Sequence, residues 1–241
     1  HAKCVLVVRR EGDGVRHYVH IGTGNYNPKT ARIYTDLGLF TCDPEIGADI
    51  AEMFNSLTGY ARPRSYREVL VAPFNLQKGI LAEIERTIEA HSPSTPSRIR
   101  LKMNSLLDAP AIRALYRASQ AGVRVEINTR GICCLKPGVA GVSENIRVVS
   151  IVGRFLEHSR IYSFEREGDP TVYIGSADLM PRNLDTRVEL LTPIRDESLR
   201  GDLVDTLDRC FADNVNAWEL DNKGNYTRRT SDNGEPRSVQ R

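Results

Sequence analysis

Residues 158–178 read His158-Ser-Arg-Ile-Tyr-Ser-Phe-Glu-Arg-Glu-Gly-Asp-Pro-Thr-Val-Tyr-Ile-Gly-Ser-Ala-Asp178, and the chain opens on a looser version of the same text, His1-Ala-Lys3 followed by Gly22-Thr-Gly-Asn25. Each copy sets a His-x-basic triplet ahead of a glycine turn. On a strand, residues i and i+2 point to the same face, so each histidine should project together with its cation, Lys3 in the first copy and Arg160 in the second. Two such halves facing each other place two histidines across one phosphate. Asn25 and Ser176, on the glycine turns, are expected to add donors. The halves are unequal: after four intervening residues beyond Arg160 stands Glu165, a carboxylate suited to orienting a histidine, where the first half has Val8. One histidine is therefore expected to be the nucleophile and the other its assistant.

Working outward, Lys3 to Arg9 and His17 to Ile21 read as a hairpin around Glu11-Gly-Asp-Gly14. Asp43-Pro44 caps a helix with Ile46, Ile50, Met53, Phe54 and Leu57 on one face and Gly59 at its end. Arg62-Pro-Arg64 breaks the pattern, and a domain boundary is placed near residue 68. Beyond it come a strand at Val69 to Ala72, a helix carrying Leu76, Ile80, Ile84 and Ile88, a strand at Ile99 to Met103, a helix capped by Asp108 and ended by Gly122, and a strand at Val123 to Ile127. Strands alternating with helices predict an α/β sheet with parallel pairings. A Gly-rich loop fills 130–145, strand-like runs follow at 146–152, 158–164 and 172–175, and a last helix carries Leu199, Leu203, Leu207 and Phe211. The organisation expected is one partial domain over 1–68, one complete domain over 69–219 and a polar, mobile tail over 220–241.

The 241 residues are 40% hydrophobic, enough to bury a real core, which excludes intrinsic disorder for most of the chain. Lys plus Arg number 33 against 31 Asp plus Glu, so the net +2 lacks the footprint of a general nucleic-acid binder. Any anion site must be local, and no nucleic-acid partner is expected. Of the basic residues 27 are Arg, whose planar fork matches phosphate oxygens two at a time. Five cysteines without a C-x-x-C spacing argue against a disulfide framework or zinc site. With no run long enough for a membrane span, a reducing cytosol is the expected compartment. The start at His1, without methionine and directly on a strand-like run, reads as if cut from something longer.

The H-x-K and G-x-x-N echo resembles the phospholipase D superfamily. The strings His20-Ile-Gly-Thr-Gly-Asn-Tyr-Asn27, Thr30-Ala-Arg-Ile-Tyr-Thr-Asp36, Leu101-Lys-Met-Asn104, Arg130-Gly-Ile-Cys133, Ser143-Glu-Asn-Ile-Arg147, Ser150-Ile-Val-Gly-Arg-Phe-Leu-Glu-His158 and Gly175-Ser-Ala-Asp178 are similar to the class 1 polyphosphate kinases over roughly residues 1–215. The resemblance implies phospholipase D-like mixed sheets flanked by helices. It also implies reversible, magnesium-dependent transfer of the ATP γ-phosphate to inorganic polyphosphate through a phosphohistidine, homo-oligomers in the full-length protein, and a place in the cytoplasm or peripherally at the inner membrane surface. Carried over residue by residue, His1 matches the phosphorylated histidine and His158 the second catalytic histidine, which assists transfer and contacts nucleotide phosphates. Tyr34 matches the residue that stacks on adenine, and Arg130 a nucleotide-phosphate contact. Lys3, Asn25, Arg160 and Ser176 are supporting candidates from the echo. His20 is read as structural, and His17 and His91 receive no role.

Two departures stand out. Leu179 occupies the place where the family commonly has Trp, which softens one wall of the site. The family's amino-terminal and helical domains, with two arginines associated with magnesium and phosphate, precede the phosphorylated histidine, so no metal ligand is expected within these residues. The competing expectations are a phosphodiesterase that lets water take the covalent intermediate, and an inactive fragment that binds nucleotide or phosphate.

Overall fold

A computed structural model describes residues 1–12, 14–59, 65–230 and 234–240. Asp13 of the hairpin turn and the Arg62-Pro-Arg64 break lie outside the described residues.

The first part forms β1 (Lys3–Glu11), β2 (Gly14–Gly22), β3 (Tyr34–Thr35) and β4 (Gly38–Thr41), then α1 (Pro44–Gly59). As the hairpin reading requires, β1 and β2 pair antiparallel from Lys3 opposite Gly22 to Glu11 opposite Gly14, and β4 adds to the other edge of β2. Asp43 caps α1 by accepting from the Glu45 and Ile46 amides at 2.9 and 3.1 Å, satisfying two N–H groups the helix itself leaves unpaired. The apolar face of α1, Ile46, Ile50 and Met53, packs on Val19 and Ile21 of β2 and continues onto Val69, Val71 and Leu190 of the second part. This shared core joins the two parts. Ile50 is fully buried there, and cutting it to alanine should cost about 2–5 kcal/mol.

The second part runs β5 (Leu70–Ala72), α2 (Leu76–Glu89), β6 (Arg98–Met103), α3 (Ala109–Gln120), β7 (Arg124–Thr129), β8 (Ile146–Ile151), β9 (Leu156–Glu157), β10 (Ile161–Arg166), β11 (Asp169–Gly175), β12 (Glu189–Pro193), α4 (Glu197–Ala212), β13 (Ala217–Leu220) and β14 (Tyr226–Arg228). The expected alternation gives three parallel strands, β6, β7 and β8, inside a nine-stranded sheet of order β14-β13-β8-β7-β6-β10-β11-β12-β5. Asp108 caps α3 through the Ala111 amide at 3.0 Å, and Gly122 ends the segment at φ +95°, a conformation that favours glycine. Helices α2 and α3 bury their apolar faces on one side of the sheet around Leu101, Ile127 and Phe164. Helix α4 covers the other side through Leu203, Leu207 and Phe211. The α/β architecture of mixed sheets flanked by helices is thus what the chain adopts.

Two sequence expectations are corrected here. The run 158–164 is not one strand: β9 ends at Glu157, β10 begins at Ile161, and His158–Arg160 form the break between them. The polar segment after residue 219 is not free along its described length. β14 pairs with β13, Arg237 and Asn214 exchange backbone and side-chain hydrogen bonds, and Val239 packs against Ile151, Cys210 and Ala217. Polarity misled because these contacts are made mostly by backbone and amide groups rather than by apolar side chains.

Candidate functional site

The two motif copies fold alike. Lys3 opposes Gly22 in the β1–β2 pair; Ile161 opposes Ile174 in the β10–β11 pair, and one step further along that register sets Arg160 opposite Gly175. The next strands repeat the match, Gly22 facing Gly38 and Gly175 facing Leu191. By this alignment Asp36 and Glu189, each two residues earlier on the third chain segment, are counterparts.

Within each copy the histidine meets its own cation. Lys3 Nζ lies 2.8 Å from His1 Nδ1, and Arg160 Nη1 lies 3.1 Å from His158 Nε2. Because a guanidinium only donates, His158 Nε2 accepts, so the ring's other nitrogen carries the proton. That Nδ1–H points to Asp36 Oδ1 at 2.7 Å. Asp36 is held in turn by the Thr23 hydroxyl at 2.7 Å, and Thr23 Oγ1 accepts from the Leu37 amide at 2.8 Å. A side chain on Gly24 would collide with the Asp36 carboxylate, so the glycine turn of the first copy clears the path for a carboxylate that serves the second copy's histidine. The predicted orienting role of Glu165 is corrected: it faces Arg100 Nη2 at 3.5 Å, on the α4 side of the sheet.

Arg160 is buried and gripped by Asp178 through Nε and Nη2, both at 3.2 Å. Asp178 also accepts from the Asn104 amide at 2.7 Å, and Asn104 Oδ1 accepts from Arg130 Nε at 3.2 Å. Arg130, which follows the end of β7, also donates to the Glu157 carbonyl at 2.8 Å. The parallel pairing of β3 with β9 carries Tyr34 to within 5.0 Å, ring centroid to ring centroid, of His158. Tyr34 and Arg130 together line a cleft of about 540 Å³ with Ile33, Val152 and Phe155.

Electrostatics knit these groups into one place. Burial pulls the Lys3 ammonium below its ordinary value, Arg160 and Arg187 pull the same way, and Glu189 and Asp36 hold it up. Burial likewise lowers Arg130, helped by Arg160 and opposed by Asp178. Desolvation lowers both cations, so an anion bound beside them would restore the charge interaction that burial takes away. Among the described residues no three His, Cys, Asp or Glu side chains converge as metal ligands; the donor set suits phosphate oxygens rather than a bare cation.

The structure therefore brings His1, Lys3, His158, Arg160, Tyr34 and Arg130 together. It does not bring in two supporting candidates. Ser176 is buried and its hydroxyl accepts from the Leu190 amide at 3.2 Å, tying β11 to β12, while Asn25 is exposed, its carbonyl accepting from the Asn27 amide. Leu179 is fully buried in the main core and walls no part of the site. His20 packs 4.4 Å from Phe40 and hydrogen-bonds the Tyr26 hydroxyl at 2.7 Å. Sequence reasoning missed Asp36, Glu189 and the grip of Asp178; only the 13-residue spacing from Thr23 to Asp36 and from Ser176 to Glu189 signals the first two.

Comparison with known proteins agrees with this geometry. Residues 69–240 match Polyphosphate kinase C-terminal domain 2, and residues 1–63 match Polyphosphate kinase C-terminal domain 1. The chain is 57% identical to a polyphosphate kinase of Thermosynechococcus vestitus, covering 98% of this chain and 32% of that protein. It is 50% identical to one of Streptomyces coelicolor, covering 100% and 32%. The solved polyphosphate kinase of Porphyromonas gingivalis superposes with a TM-score of 0.93 at 38% identity, over 99% of this chain and 37% of that one. The chain spans about a third of the length of the curated relatives it matches. No helix among the described residues is long and apolar enough to cross a membrane. By sequence over nearly its whole length and by fold, the chain belongs to the polyphosphate kinase family.

Proposed function

We propose that these residues carry the phosphotransfer centre of an ATP:polyphosphate phosphotransferase, in which His1 takes the γ-phosphoryl group of ATP and passes it to the end of a polyphosphate chain. The observation that supports this reading most is the pairing of each motif histidine with its own buried cation, Lys3 with His1 and Arg160 with His158, beside Tyr34 and Arg130. An incoming phosphate offers oxygens that outcompete an imidazole for those donors. Lys3 and Arg160 then turn to the equatorial oxygens, and the imidazole lone pairs they held are freed.

The His1 lone pair attacks the γ-phosphorus as the bond to the β-bridging oxygen breaks, and ADP leaves. Once Arg160 turns to the phosphate, His158 Nε2 takes up a proton from solvent, and the imidazolium, backed by Asp36 on Nδ1, gives a hydrogen bond or that proton to the departing oxygen. In the return half-reaction a terminal polyphosphate oxygen attacks the phosphohistidine, lengthening the polymer by one unit and regenerating the imidazole. Little covalent chemistry is asked of the protein beyond placement and charge. The Tyr34 ring offers a flat face to the adenine, and Arg130 binds nucleotide phosphate. Magnesium, when bound with the nucleotide, would neutralise phosphate charge.

The test is incubation of the complete gene product with γ-labelled ATP, magnesium and a polyphosphate primer. Label in an acid-precipitable polymer is expected. Release of labelled inorganic phosphate alone, with oxygen from labelled water incorporated, points instead to hydrolysis, and nucleotide binding without either product leaves a binding module.

A further inference from the structure

Gln240 makes contacts that the polar composition of its segment does not explain. Gln240 accepts from the Phe155 amide at 2.9 Å and donates to the Phe155 carbonyl, also at 2.9 Å. Its Nε2 further donates to Glu157 Oε1 at 2.6 Å. A primary amide that both accepts from and donates to one residue's backbone imitates a peptide unit of a neighbouring strand. The segment it meets, β9, has its other edge on β3: the Leu156 amide donates to the Ile33 carbonyl at 2.8 Å, and the His158 and Ser159 amides both reach the Thr35 carbonyl. β9 is thus pinned from two sides, by a strand and by one glutamine.

Glu157 carries the same amide inward. Its Oε2 holds Lys102 Nζ at 3.0 Å and the Thr35 hydroxyl at 3.0 Å, its carbonyl holds Arg130, and its neighbour in sequence is His158. Both partners of the Lys102–Glu157 ion pair are about 97% buried, where a polar network needs every member satisfied. Gly153 leaves room for the glutamine, since a Cβ there would collide with Oε1. The approach of Gln240 is fixed by Val239, whose amide donates to Asp213 Oδ2 at 3.0 Å and whose side chain packs on Ile151 and Ala217.

We infer that Gln240 is a positioning residue for phosphotransfer: through Phe155 and Glu157 it fixes the segment that bears His158 and one wall of the cleft shared by Tyr34 and Arg130. The inference rests on the proposed function for its kinetic consequence, and on hydrogen bonding alone for its structural one. Gln240→Ala removes both backbone contacts and leaves Glu157 Oε1 without its donor. A small displacement of reacting groups costs one to two orders of magnitude in rate, so kcat should fall roughly tenfold or more, and the KM for ATP should rise while that for polyphosphate stays.

Gln240→Glu keeps an acceptor for the Phe155 amide but sets a carboxylate against Glu157. The charged groups facing that position are Glu157, Lys102 behind it, Arg130 on the Glu157 carbonyl, Arg154 beside Phe155 and Asp213 under Val239. The nearest of these is the Glu157 carboxylate, so the new acid should protonate easily and regain a donor on acidification. The ratio of wild-type to Gln240→Glu kcat should therefore be largest at high pH and narrow as pH falls.

The experiment measures both variants in the complete gene product, with melting temperature and hydrogen exchange of the Phe155 amide alongside kcat and KM. Expected are faster Phe155 exchange in Gln240→Ala, a loss of kcat out of proportion to any change in melting temperature, and the acid-side recovery of Gln240→Glu. Unchanged kcat and KM, or losses that track melting temperature with a flat pH ratio, overturn the inference. If the wild type transfers no phosphate, the proposed function fails by itself. The structural role of Gln240 is then judged by exchange alone, with Phe155 protection unchanged in Gln240→Ala contradicting it.

Discussion

The two copies of the His-x-basic motif share a strand register and differ in how their functional groups are held. In the second copy every group has a partner: His158 has Asp36 on one ring nitrogen and Arg160 on the other, and Arg160 has both oxygens of Asp178. In the first copy His1 has Lys3, and the counterpart carboxylate, Glu189, is buried with Oε2 lacking a hydrogen-bond partner among the described residues. Placement in the sheets differs likewise. β10 lies between β6 and β11, whereas β1 pairs with β2 alone among the described strands. A fixed histidine suits an assistant that must present one nitrogen in one tautomer. A histidine whose ring, among the described residues, is met by an exchangeable ammonium suits a nucleophile that must release its lone pair and carry a phosphoryl group.

The comparison breaks most sharply at the histidines themselves. His1→Gln should remove phosphoenzyme and polymer synthesis to background, while His158→Gln should slow transfer by about 10²–10⁴-fold, the range of a lost general acid, as read from single-turnover kinetics with labelled ATP. Equal, complete losses of phosphoenzyme in both would erase the asymmetry.

Next in size is the carboxylate exchange between copies. Asp36→Asn keeps the shape but no longer fixes the Nδ1–H tautomer of His158, and kcat should drop roughly 10²-fold. Gly24→Ala should reproduce much of that loss by pushing the carboxylate aside. Glu189→Gln, whose carboxylate is paired with the His1 ammonium and Arg187 at 3.9 Å and acts on Lys3 only through its charge, should cost about tenfold or less.

A smaller effect separates the cations. Arg160→Lys loses the two-point grip on Asp178 and should cost about tenfold in kcat, whereas Lys3→Arg, with no such fork to preserve, should be limited by size and be partly active. The smallest effect is on stability. Burial lowers the Lys3 ammonium in the folded chain, so the unfolded chain binds more protons between the folded value and the ordinary one. Stability contributed at this position therefore rises as pH climbs through that window. Lys3→Met should remove that pH dependence and leave the melting temperature at pH 7 unchanged or higher while transfer is lost.

Much of this was legible in the sequence because it is local. Apolar spacing in α1, α2 and α3, caps at Asp43 and Asp108, and the β, α, β order gave the architecture. The i, i+2 rule brought each histidine to its cation even though His158–Arg160 turned out to be a break between strands. What stayed hidden depends on contacts that local spacing does not report, one of which, between Asp36 and His158, spans 122 residues. Asp36 reaches His158 only because β3 pairs with β9, two strands of two residues each that carry no periodic signal. β12 opens on a buried charge, Glu189, and so does not read as a strand. Ser176 looked like a phosphate donor, but it is buried and its hydroxyl oxygen accepts from the Leu190 amide at the β11–β12 junction. Gln240 lies in a polar run whose order comes from backbone groups, which composition does not report.

The most direct test of the central claim is to map the acid-labile, alkali-stable label in the complete gene product after brief incubation with γ-labelled ATP and magnesium without acceptor. Phosphate is expected on His1, chased into polymer by added polyphosphate and discharged by ADP. Label on His158 instead, or efficient polymer synthesis by His1→Gln with no labelled histidine at all, would contradict it.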